Sequence, residues 1–107
     1  MKLLTKNHIK RLRSNHAHDT GRPVVKLFGG GACTWLISQM AEDNDSLFGL
    51  CDIGHGSPEL GYVSLKELED LRFPPFGLGV ERDTSFKATK NLKRYAEEAR
   101  VAGRVCA

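Results

Sequence analysis

The chain is 107 residues long, with 40% hydrophobic and 27% charged residues. This composition excludes wholesale disorder and, at this length, reads as one domain spanning residues 1–107. No apolar run approaches the ~20 residues needed to cross a bilayer, and Met1–Leu4 leads directly into the charged stretch Thr5–Arg13, so neither a membrane span nor a secretory signal is expected. The net charge of +3 conceals a polarised map: seven Lys/Arg against one Asp in residues 1–26, three against ten Asp/Glu in residues 27–85, and six against two Glu in residues 86–107.

Thr5 is placed to cap a helix, with Leu4 and Ile9 at the two positions of a hydrophobic staple. Ile9 and Leu12 form a narrow apolar stripe, while Lys2, Lys6, Lys10 and Arg13 recur on another face. The polar, turn-rich run Asn15–Gly21 is expected to end the helix before Asn15. Val24–Phe28 and Cys33–Gln39 are β-rich runs around Gly29-Gly30-Gly31 and predict a hairpin, with Cys33, Trp35 and Ile37 on one face and Thr34, Leu36 and Ser38 on the other. An acidic loop, Ala41–Ser46, precedes a third strand at Leu47–Ile53 and a short fourth at Leu60–Val63. Ser64-Leu65-Lys66-Glu67 reads as a capping box opening a helix with Leu65, Leu68 and Leu71 on its apolar side, and Pro74-Pro75 ends any helix there. Val80–Phe86 predicts a fifth strand. Asn91 then caps a last helix with Leu92, Tyr95, Ala96, Ala99 and Ala102 on one face, stopped by Gly103. The order lacks regular strand–helix alternation, so the expected class is α+β: a mainly antiparallel, meander-like sheet of about five strands covered by two to three helices.

Familiar chemical motifs are weak. The triple glycine is followed by Ala32-Cys33-Thr34 rather than Gly-Lys-Ser/Thr and by a strand rather than a helix, so neither a phosphate loop nor a dinucleotide fingerprint is read and no cofactor is expected. Asp43-Asn44-Asp45 lacks the glycine and terminal glutamate of a calcium loop. His16-Ala17-His18-Asp19 has no companion ligand motif, so no metal is expected. The odd, widely spaced Cys33, Cys51 and Cys106 fit reduced thiols and a cytoplasmic location.

The densest polar stretch is Asp52–Ser64, where three glycines and a proline surround Asp52, His55 and Glu59. With Glu81-Arg82-Asp83 on the later strand, Asp52, Glu59, Glu81, Arg82 and Asp83 form a candidate carboxylate/arginine site for acid–base or metal chemistry. The structural alternative pairs Arg82 with Asp52 or Glu59 in a salt bridge.

Thr34-Trp35-Leu36, Phe48–Asp52, Gly54, the run Pro58–Leu65 and Glu81-Arg82-Asp83 with Phe86 resemble the bacterial family catalogued as domain of unknown function 2958. Leu3-Leu4-Thr5, Val24–Phe28 and Tyr95–Arg100 match it as well, so the resemblance covers nearly the whole chain. Gly29–Gly31 and His55 depart from the family pattern, and the latter argues against a catalytic His55. The resemblance implies an accessory protein of plasmids and other mobile elements, encoded near DNA-handling genes.

Three functions follow as expectations. One is a non-catalytic module that binds another protein, as a counter-defence or DNA-handling accessory. The second is a small enzyme using the five residues above. The third is a nucleic-acid binder using Lys2, Lys6, Lys10 and Arg13, for which four charges are a modest footprint.

Overall fold

The computed structural model describes residues 2–17 and 21–107. In chain order it contains helix α1 (Lys6–Ala17), strands β1 (Val25–Gly29), β2 (Cys33–Met40), β3 (Ser46–Asp52) and β4 (Glu59–Ser64), and helix α2 (Leu65–Asp70). Three short strands follow, β5 (Arg72–Phe73), β6 (Leu78–Gly79) and β7 (Glu81–Arg82), and then helix α3 (Leu92–Ala102).

Each helix starts on the residue its sequence marks. The Thr5 hydroxyl accepts from the His8 amide at 3.1 Å, and His8 Nδ1 accepts from the Thr5 amide at 3.1 Å. His8 thus fills the reciprocal role that Glu or Gln takes in a capping box. The Ser64 hydroxyl accepts from the Glu67 amide, and Asp45 meets the neighbouring donors. Its backbone carbonyl accepts from the Leu65 amide, one carboxylate oxygen from the Lys66 amide and the other from the Ser64 hydroxyl, all within 2.9 Å. Asn91 Oδ1 accepts from the Arg94 amide, and Gly103 closes α3 in the left-handed conformation.

The first four strands form an antiparallel meander, and β7 adds to the free side of β1, giving the order β4-β3-β2-β1-β7. This bears out the α+β, antiparallel expectation. The side chains divide by strand parity. Val25, Leu27, Trp35, Ile37, Met40 and Leu47 pack with Leu3 and Leu4 ahead of α1, Leu12 of α1 and Leu68 of α2. Leu36 and Leu50 pack on the opposite face with Leu92, Tyr95, Ala96 and Ala99 of α3. The sheet is therefore the middle of three layers.

The parity holds only because β2 carries a bulge. Ile37 pairs with Gly49, but Gln39, not Ser38, pairs with Phe48, so Ser38 is the extra residue. Unbroken alternation would put Gln39 beside Ile37 in the core and Met40 on the other face; the bulge reverses both. Ser38 is therefore not simply the next residue on the Thr34–Leu36 face. It is buried, its hydroxyl donates to the Phe48 carbonyl at 3.4 Å, and its own carbonyl accepts from Asn15 Nδ2 at 2.9 Å. That last bond explains why α1 runs on through Asn15 to Ala17 instead of stopping before it: the amide side chain finds a buried acceptor on the sheet.

Two other departures have local causes. The predicted strand Val80–Phe86 is reduced to Glu81–Arg82, because Asp83 turns the chain by accepting from the Ser85 amide at 2.9 Å. The segment after Pro74-Pro75 closes the small β5–β6 hairpin, which the sequence pattern does not show. That hairpin seats the Phe73 ring on the β1–β2 turn, where a Cβ on Gly29 or Gly30 would lie within 2.6 Å of the ring. The triple glycine is a hairpin turn that also makes room for an aromatic ring.

A Cβ at Gly49 would lie 2.0 Å from the Leu36 carbonyl oxygen, whereas one at Gly61, its partner on β4, meets nothing within 4 Å. Gly49→Ala is expected to lower unfolding stability by about 3 kcal/mol through overpacking against backbone, and Gly61→Ala to change it by less than about 0.5 kcal/mol. Urea denaturation of the two variants measures the difference.

Candidate functional site

The sheet register places each polar candidate. Asp52 on β3 lies opposite Thr34, Thr34 opposite Phe28, and Phe28 opposite Glu81. Three inter-strand steps separate the Asp52 and Glu81 backbones, about 14 Å. Glu59, Cys51, Trp35, Leu27 and Arg82 form the adjacent row, which puts Glu59 and Arg82 on opposite edges of the sheet, about 19 Å apart. The five residues do not share one pocket.

Each also has its own setting. Asp52 is buried, and its two carboxylate oxygens accept from the Gly54 amide at 2.8 Å and the Val105 amide at 3.0 Å. It orders the turn after β3 and ties the segment after α3 to the sheet. Arg82 does not pair with Asp52 or Glu59; its guanidinium donates to the backbone carbonyls of Leu3 and Lys2 and fastens the segment ahead of α1. Asp83 lies 3.7 Å from Lys26 Nζ, which also donates to the Ala107 carbonyl at 2.6 Å. Glu59 and Glu81 are exposed at the two sheet edges.

The basic stripe is also divided. Lys2, Lys6 and Lys10 are exposed, but the Arg13 guanidinium donates to Asn44 Oδ1 in the β2–β3 turn. His16 is exposed at the end of α1, and His18 and Asp19 lie outside the described residues. Burial pushes the Cys51 thiol up to about 11 and also raises Cys33, with the nearby Asp52 charge adding to it, so neither thiol is poised as a thiolate. Burial, then Arg82 and Arg11, lowers the His8 imidazole. Asp43 and Asp45 of the calcium-like run already accept from amides and hydroxyls of the turn and of α2.

A different surface stands open. β4 is an edge strand with β3 on one side only, and most of its residues are exposed or half-buried. Beside it, on the face covered by α2, lies a groove of about 500 Å³ lined by Trp35, Ile53, Tyr62, Val63, Leu68 and Leu71, with Ser46, Ser64 and Glu67 at its polar margin. Tyr62 is 68% and Ile53 56% exposed, large values for side chains of this size. Phe48 stacks on Tyr62 with ring centroids 5.1 Å apart, and because Phe48 packs with the α3 cluster, the tyrosine ring lies on the α3 side of the edge strand, across β4 from the floor of the groove. The sequence reading places Trp35 on a strand face and Leu71 on the apolar side of α2, but it does not join them to Tyr62, because the grouping depends on which strand ends the sheet. A second apolar patch joins Phe28 of β1 to Phe76 and Leu78 of the β5–β6 hairpin.

The family model described as protein of unknown function DUF2958 matches residues 3–106. The chain belongs to that family. No curated protein and no solved structure matches it. Among the described residues, no helix is long and apolar enough to cross a membrane.

Asp52→Ala leaves two amides without their acceptor and is expected to cost about 1–3 kcal/mol. It should also abolish hydrogen-exchange protection at the Val105 amide, a local readout that separates loss of the tether from general destabilisation. Asp43 gives a pH signature. The Ser46 hydroxyl and amide and then the Asp45 amide hold its carboxyl down to about 2, below the ordinary 3.8. A depressed carboxyl stabilises the fold above its unfolded pKa and loses that contribution as pH falls through the folded one. In thermal melts the difference between wild type and Asp43→Asn should be constant above pH 5 and close between pH 4 and about 2.

Proposed function

We propose that this protein is a non-catalytic docking module that binds another protein along β4 and the apolar groove beside it. The observation that carries the reading is an open sheet edge with exposed apolar side chains on both faces, Ile53 and Leu71 at a groove of about 500 Å³ on the α2 face and Tyr62 on the α3 face. Aromatic and aliphatic side chains around a depression are the composition of interaction hot spots, and a strand edge adds main-chain donors and acceptors that a partner strand can use. The dispersal of Asp52, Glu59, Glu81, Arg82 and Asp83 along the sheet, with Asp52, Arg82 and Asp83 holding turns and chain segments, favours docking over chemistry at those residues. The bacterial family resemblance supports an accessory role in the cytoplasm of a cell carrying a mobile element, with a host or element protein as partner.

A photo-reactive residue at position 62 should give a discrete protein adduct in bacterial extract, and one at Val101, 91% exposed on α3, should not. Leu71→Glu should abolish the adduct while changing stability by less than about 0.5 kcal/mol, since the site is already open to water. Identical adducts from both positions, or none from position 62, would refute the reading.

A further inference from the structure

The charge around the β4 groove restricts what can occupy it. Residues 41–71, which build β3, β4, α2 and their turns, hold eight Asp/Glu against one Lys and no Arg. Glu59 begins the edge strand and is exposed, and Glu67 lines the groove from α2. Two copies joined edge to edge through β4 would bring these acidic surfaces together, which costs free energy at every like-charge approach. Most natural edge strands are blunted by proline, bulges or inward charge. β4 has no proline among its six residues, its pairing with β3 is unbroken from Ser46–Ser64 to Cys51–Glu59, and its charge stands at one end.

Building on the docking reading above, we infer that the occupant is an extended, positively charged segment of a partner protein that adds to β4 as a sixth strand. Six residues of β4 offer about 20 Å of edge, room for a segment of similar length. Side chains of an added strand alternate between faces. Those on the α2 face meet the space left by Gly61 and the groove walls of Trp35 and Leu71, so they are apolar. Lysine or arginine at the segment's ends reaches Glu59 and Glu67. Main-chain pairing supplies affinity, the groove selects alternate apolar residues, and the acidic margin selects the sign of charge.

The test is selection of a phage-displayed library of random twelve-residue peptides on the full chain, with Tyr62→Glu and Glu59→Lys/Glu67→Lys forms as parallel targets. Wild type should enrich peptides with apolar residues at alternate positions, a surplus of Lys/Arg and no central proline. A selected peptide should bind the charge-reversed form at least about tenfold more weakly, and its affinity for wild type should fall with rising salt as opposite charges are screened. The charge-reversed form should itself enrich acidic peptides. Peptides without a basic surplus, with helical three-to-four spacing, or with unchanged affinity for the charge-reversed form overturn this inference; if their binding is still lost in Tyr62→Glu, the docking reading stands. If no enriched peptide depends on Tyr62, both fall.

Discussion

The close approach of β2 and β3 at Gly49 is the constraint on which the rest of the molecule depends. A side chain there would strike the Leu36 carbonyl, and the extra residue that the opposing strand carries, Ser38, is the source of its change of register. From that one irregularity follow the burial of Met40, the outward turn of Gln39, and a carbonyl free to receive Asn15 from α1. Interiors are packed closely enough that a single inserted residue must be absorbed by a specific partner. Here the partner is a glycine on one strand and a helix on the other side.

The acidic middle of the chain has a structural explanation in part. Asp43, Asp45, Asp52 and Asp83 all accept from backbone amides, and they do so at the β2–β3 turn, at the start of α2, after β3 and after β7. At Asp43, Asp52 and Asp83 the short carboxylate reaches amides two or three residues on, while Asp45 reaches across to the Lys66 amide of α2. Glu59 and Glu67 remain toward solvent and the groove. These six carboxylates therefore divide between building turns and colouring a surface.

Much of the fold was legible in the sequence. Thr5, Ser64 and Asn91 act as caps because a capping residue is recognised by its immediate neighbours, and the first four strands follow from short-range alternation. The bulge at Ser38 and the contact of Arg82 with the Leu3 carbonyl were not legible, since each is decided by a partner on another element, and the β5–β6 hairpin, with two residues in each strand, is too short to leave an alternation pattern. The placement of the candidate site residues is likewise set by strand order. Asp52, Glu59 and the Glu81–Asp83 run are dense in polar groups, but strand order sends them to different parts of the sheet. Tyr62, Trp35 and Leu71 each look like ordinary core or strand residues until β4 is known to be the last strand.

The placement of β7 has a kinetic consequence. β1 to β4 pair with neighbours in sequence across short turns, so the meander can assemble through small loop closures. The pairing of Leu27 with Arg82 instead closes a loop of more than fifty residues, and the same arginine holds Leu3. Such long-range closure is entropically late. Damage to the meander therefore slows the search for the native state, whereas damage to the β7 contact chiefly hastens departure from it. The segment ahead of α1 takes its final place only once the chain beyond residue 80 has returned to meet it.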